Sequence, residues 1–354
     1  MKVIVALLVI LVGTCGIAGG TSIPQDAIPD EVAIANKHYQ AALQHIEREQ
    51  WQSACAELEQ FIKIIPIEFS SHHLLARCAA RLGKTDLALT ELDAAVELGY
   101  EDLASVQAGD DFATLRNLET FQQIIEKAKR YREQEFVLVR PKGNNDADPE
   151  KRQIVLYFHG RGESPRATIS LWRPIADELG LCVLIPKGTR PFGQVYIWDA
   201  EDARGNEPWK IDRTAAMDKA TAALDWLRDE QHVECEALVL AGFSQGAVVA
   251  LELASGERQH RLPADSLLLM SAALPGEYEC ELPATTPVAQ FVGEQELWRD
   301  SNRSLRDKLE RQQVKLRYHE HACGHDLPRP FAETMVPLLR DFLLPAADDA
   351  KANH

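Results

Sequence analysis

Lysine and arginine are what this chain is short of: 38 of them face 54 aspartates and glutamates, a formal charge of −16 over 354 residues. No run gathers them into a patch that could track a phosphate backbone, so nucleic acid is excluded as a partner and the acidity reads as solubility. Cysteine is sparse as well, with 7 in all and no C-x-x-C among them. A thiolate zinc site is therefore not expected, and neither a metal nor a cofactor is needed by the chemistry argued below. No propeller-like segment precedes the second half, which removes the usual support for a peptidase.

The first 20 residues, MKVIVALLVILVGTCGIAGG, put one lysine before an apolar run and small residues around Ala18 and Gly20. That order is a secretory signal peptide, and export to a periplasm or the exterior is expected. An uncleaved membrane anchor and a lipoprotein signal ending at Cys15 are the rival readings; Thr14 fits the latter poorly. Without Cys15 an even set remains, Cys55, Cys78, Cys182, Cys235, Cys280 and Cys323, which invites pairing in an exported protein. Buried free thiols are the alternative for Cys182 and Cys235, which lie in or beside apolar strands.

Residues 31–132 are helical in pattern. Ala42 and Ala76, Ala54 and Ala88, and Leu58 and Leu92 are each 34 residues apart, and small residues at helix crossings with that period resemble tetratricopeptide repeats. Pro66 and Gly99 stop the two copies, and FATLRNLETFQQIIEKAKRY is expected to cap the stack. Such a unit serves either to hold a protein partner or as a helical spacer. From 135 to 346 the texture changes to Val-, Leu- and Ile-rich strands alternating with helices, the pattern of a parallel sheet covered on both faces, and residues 347–354 form a polar tail. The stretch PKGNNDADPEKR reads as a loop between FVLV and QIVLYFHG.

In LVLAGFSQGAVVALELA a strand turns into a helix through Gly242-Phe243-Ser244-Gln245-Gly246. A turn this sharp lifts the Ser244 hydroxyl above the carboxyl end of the sheet, and side chains two positions either side would collide. This is the nucleophile elbow of α/β-hydrolases. A serine needs a base, itself held by an acid. His325 in ACGHDLP follows a strand and precedes the last helix, where the base belongs; His319 and His321 compete. Glu296 is the expected acid, with Glu294 and Asp300 as alternatives. The oxyanion donors are expected to be the backbone N–H of Gln245, at a helix start, and of Arg161, in the glycine-containing loop after QIVLYFHG. Trp172, Trp198 and Trp298 line a pocket or pack in the core.

HGRGES, the loop with Trp198-Asp199, GFSQG, SAALP and GHD resemble the carboxylesterase, phospholipase and acyl-protein thioesterase branch of the α/β-hydrolases over Phe136 to Leu344. The resemblance implies a mostly parallel α/β-hydrolase sheet, here preceded by an all-α tetratricopeptide-like region. It implies acyl transfer from a small-molecule or lipid-like ester or thioester, without cofactor. By the same resemblance Ser244 and His325 take the nucleophile and base positions, and Arg161 and Gln245 the oxyanion positions. The family's acid stands in G-x-x-D, where this chain has Gly293-Glu294-Gln295-Glu296, and Glu163 replaces an aspartate after the oxyanion loop. The related dienelactone hydrolases use cysteine, against which Ser244 speaks. The glutamate leaves a second reading: an inactive hydrolase fold whose repeats bind a protein.

Overall fold

Small residues at regular spacing let helices approach, and the first part of the chain is built on that rule. The computed structural model describes residues 30–142, 150–203, 207–256, 261–328 and 330–343; the expected signal segment and polar tail lie outside them. The described chain divides into two compact units. One takes residues up to Glu135 together with Ser164–Ala167, the other Phe136–Glu163 and Thr168 onward.

In the first unit, α1 (Asp30–Glu47), α2 (Trp51–Ile64), α3 (Phe69–Arg81), α4 (Thr85–Glu97), α5 (Leu103–Ala108) and α6 (Glu119–Glu133) follow one another. Helices α2, α4 and α6 begin at 51, 85 and 119, a constant step of 34. All six of the residues Ala42, Ala54, Leu58, Ala76, Ala88 and Leu92 are fully buried. The step also repeats contacts: His38 Nδ1 meets Glu57 Oε2 at 2.6 Å, and one period on His72 Nδ1 meets Glu91 Oε2 at 2.6 Å. The expected capping helix is shorter than its pattern. Leu118 takes an extended backbone, so the helix starts only at Glu119, and residues Asp110–Phe112 make a separate 3-10 turn.

The second unit is organised by a seven-stranded sheet. Its strands are β1 (Phe136–Val139), β2 (Glu150–Phe158), β3 (Cys182–Pro186), β6 (Val233–Phe243), β7 (Ser266–Met270), β8 (Val288–Gly293) and β9 (Leu316–His321). They run in the order β1-β3-β2-β6-β7-β8-β9; β1 is antiparallel to β3 and every other pairing is parallel. A hairpin of β4 (Arg190–Phe192) and β5 (Val195–Ile197) stands apart, inside what the sequence pattern presents as one long loop. Strand β2 also begins earlier than expected. Glu150, Lys151 and Arg152 read as loop because they are polar, yet they pair with Val233, Glu234 and Cys235 before a bulge. Backbone pairing at the solvent end of a strand does not need apolar side chains.

Alternation along the strands makes two faces. Ile154, Leu156 and Phe158 of β2 and Cys182 and Leu184 of β3 share a core with Ala216, Ala220, Ala223 and Leu227 of α8 (Arg213–Asp229). Between them Tyr157 turns to the opposite face, against Trp172 of α7 (Ile169–Leu179), whose ring meets Phe331 of α11 (Phe331–Leu343). Helix α9 (Gln245–Ala254) follows β6, and α10 (Arg299–Arg311) follows β8. Each fully buried Leu or Phe in these cores contributes about 1.5–3 kcal/mol. The mostly parallel sheet with helices on both faces, after a helical region, is the fold class the sequence pattern implies. The pairing that the even set invites is not formed: Cys55, Cys78, Cys182, Cys235, Cys280 and Cys323 are all free thiols, Cys182 buried as its alternative reading had it and Cys235 exposed.

Candidate active site

Ser244 stands between β6 and α9 with φ 55° and ψ −119°. A non-glycine residue at positive φ costs on the order of 1–3 kcal/mol and persists only where its surroundings hold it. Here the Ser244 N–H donates to the Met270 carbonyl at the end of β7 at 2.9 Å, while its own carbonyl accepts from Ala247 at 3.1 Å. The flanking glycines are required by space. A Cβ on Gly242 would lie 2.1 Å from the Gly246 carbonyl oxygen, and one on Gly246 would lie 1.9 Å from the Phe158 carbonyl oxygen of β2.

The Ser244 hydroxyl and His325 Nε2 are 2.8 Å apart, and His325 Nδ1 is 3.1 Å from Glu296 Oε2. A carboxylate only accepts, so Nδ1 carries the proton and Nε2 is left to accept from the hydroxyl. The imidazole lies between Phe243 and Trp298, the latter edge-on with centroids 4.7 Å apart. Glu296 is buried, whereas Glu294 and Asp300 are exposed, Asp300 beside Arg299 and Arg303. His319 stacks on Phe291, and His321 Nδ1 contacts the Cys323 thiol. Of the three histidines weighed, the one bonded to Ser244 is His325.

Two supports escape the sequence pattern. Gly293 ends β8 where the histidine loop crosses it: a Cβ there would meet the Gly324 carbonyl oxygen at 2.0 Å. The crossing is tied by Glu294 N–H to the His321 carbonyl and Gln295 N–H to the Cys323 carbonyl. A glycine closing a strand is the one available signal. Asn302, fully buried, aims its amide at the Ala272 and Trp298 carbonyls and at Glu296 Oε1, 3.3 Å away. Nothing in an amphipathic helix pattern marks it.

The loop after β2 carries Arg161. Buried His159 accepts the Gly188 N–H at Nε2, 3.1 Å, so it is neutral and its Nδ1–H donates to the Gly160 carbonyl at 2.8 Å. Burial holds its pKa down to about 4, against the raising effect of that carbonyl. In a planar trans peptide the N–H and C=O point opposite ways, which turns the Arg161 N–H away from the His159 ring. The Gly160 N–H donates to Glu163 Oε2 at 2.7 Å. Burial raises the Glu163 carboxyl to about 7; the Gly160 N–H opposes this and the charge of Asp326 adds to it. Gln245 opens α9, where the first N–H groups have no partner within the helix. Trp198 is buried with its indole N–H on the His159 carbonyl, and Trp172 packs on Tyr157 and Phe331. Among the described residues no group of three or more His, Cys, Asp or Glu could hold a metal ion.

Sheet, covering helices and the strand–serine–helix junction together make an α/β-hydrolase-like fold. No family model and no curated protein matches the chain. Among solved structures, the Bacillus cereus carboxylesterase is 18% identical, with 58% of this chain and 93% of that one covered, at a TM-score of 0.45. Esterase PE8 is 22% identical over 58% of this chain and 97% of its own, at 0.41. An uncharacterized protein from Bacillus cereus ATCC 10987 is 16% identical over 86% and 97%, at 0.44.

Proposed function

We propose that the chain is a serine hydrolase that cleaves carboxylic ester or thioester bonds of small-molecule or lipid-like substrates. The observation that carries this reading is the continuous hydrogen-bonded line from Ser244 through His325 to Glu296, with the hydroxyl held on a strained junction. In this mechanism Ser244 Oγ attacks the acyl carbon as its proton passes to His325 Nε2. Glu296 stabilises the imidazolium that forms, and the oxyanion accepts hydrogen bonds from the Arg161 and Gln245 N–H groups. His325 returns the proton to the leaving alkoxide or thiolate. It then draws a proton from water as the water oxygen attacks the acyl carbon, and gives that proton to Ser244 Oγ as the bond to the acyl carbon breaks and the acid leaves.

The test is turnover of p-nitrophenyl acetate and butyrate, with labelling by a fluorophosphonate. Ser244→Ala is expected to lose both; a wild type with neither activity nor label would leave the inactive-scaffold reading in its place. We further read the helical unit as tetratricopeptide-like and open to a protein partner, and residues 1–20 as an export signal. Sequencing of the mature N-terminus checks the latter.

A further inference from the structure

Asp199 is buried at 4% exposure, in the loop that follows β5, and it touches both residues read as oxyanion donors. The Arg161 guanidinium grips it with a fork: Nη2 donates to Oδ2 at 2.8 Å and Nε to Oδ1 at 3.1 Å. Gln245 Nε2 donates to the same Oδ1 at 2.5 Å. The orientation of that amide is not free. Its Oε1 accepts the Trp198 N–H at 3.0 Å, and its second amide hydrogen goes to the Pro208 carbonyl at 3.0 Å, so every polar bond of the side chain is directional. One carboxylate thus joins the start of α9 to the loop after β2. The hairpin reinforces the join: Gly162 N–H donates to the Tyr196 carbonyl at 3.0 Å, and the Arg161 guanidinium lies over the Phe192 ring.

We propose that Asp199 is the positioning residue of the oxyanion site, setting the separation and direction of the Arg161 and Gln245 N–H groups by holding both side chains at once. This rests on the serine-hydrolase reading above. The two donors come from a loop and a helix start that are distant in sequence, and oxyanion stabilisation depends on both being aimed before the charge develops. An acceptor-only group is needed because both partners are donors. Asparagine at 199 fills the same space, but with its oxygen in the Oδ1 position its NH2 meets the Arg161 Nη2 donor, and turned the other way it meets both Arg161 Nε and Gln245 Nε2, so no orientation keeps all three bonds.

The experiment is steady-state kinetics and inhibition by a trifluoromethyl ketone, whose adduct with the serine carries the oxyanion. Asp199→Asn is expected to lower kcat by about 10- to 100-fold with KM within about twofold, and to weaken the ketone by a similar factor. Adding Arg161→Met is expected to cost far less in the Asp199→Asn background than in the wild type, because both changes break one network. Wild-type kcat and ketone affinity in Asp199→Asn overturn the proposal. So does a loss that follows only the folded fraction, or falls only on KM, with ketone affinity intact. Retention of turnover by Ser244→Ala would instead remove the hydrolase reading itself, whatever Asp199 does.

Discussion

At the scale of single residues, burial and neighbours decide which carboxylate meets His325. Glu296 is enclosed with Asn302 on one oxygen and His325 on the other, while Glu294 and Asp300 face solvent. Glu296→Gln replaces an acceptor with a group that can present its NH2 to Nδ1, which favours the wrong tautomer. A fall in kcat of about 10³-fold or more is expected, with at most a few-fold change for Glu294→Gln or Asp300→Asn. Initial rates on an activated ester decide it; equal effects at the three positions would remove Glu296 from the role. Glu296 was legible only as the best placed of three carboxylates, since spacing does not report which way a loop side chain turns. Asn302 had no signal at all, because its partners come from three different segments.

At the scale of elements, the β6–α9 junction is a close approach of two backbones. Gly246, in the first turn of α9, sits against the Phe158 and His159 carbonyls, so even a methyl group must push the end of β2 away from the helix. Gly246→Ala is expected to cost about 3 kcal/mol or more, because the obstructing atoms are backbone and cannot change rotamer. Urea unfolding reads this directly; an unchanged midpoint would mean that helix and strand can part without penalty. The helical unit shows the complementary case, in which a local pattern suffices. Helices α4 and α6 pack one period apart, with Lys127 on Asp93 at 2.5 Å and Tyr131 on Glu97 at 3.1 Å, both spaced by 34. In the third step Asp110 and Gln122 stand where alanines stood one period earlier, yet the helix keeps the period.

At the scale of the whole molecule, stability depends on pH through buried groups. The Glu163 carboxyl is raised from its ordinary 4.5 to about 7, so between these values the folded chain keeps a proton that the unfolded chain releases. Its contribution is fully present below about pH 4.5 and is lost as the pH rises towards 7. His159 acts in the other direction. Held near 4 against an ordinary 6.5, it stays neutral when folded, so its contribution is lost as the pH falls through that window. Comparing wild type with Glu163→Gln isolates the first effect: the stability difference in favour of the wild type is expected to grow as the pH drops from 7 to 4.5. Denaturant unfolding at several pH values measures it, and a difference that stays flat would show Glu163 to be an ordinary carboxylate.

The sequence by itself determined the alternation of strands and helices, the place of the elbow at Ser244 and the 34-residue helical step. All three depend on contacts between near neighbours in the chain or on a repeating pattern. The tertiary structure alone decided which carboxylate meets His325 and that Asp199 joins Arg161 to Gln245. It also decided that Glu163 lies buried beside Asp326 and that the six described cysteines are free thiols. These relations join segments brought together by packing. Their distances and desolvation depend on the assembled sheet and loops rather than on the order of residues within any one segment.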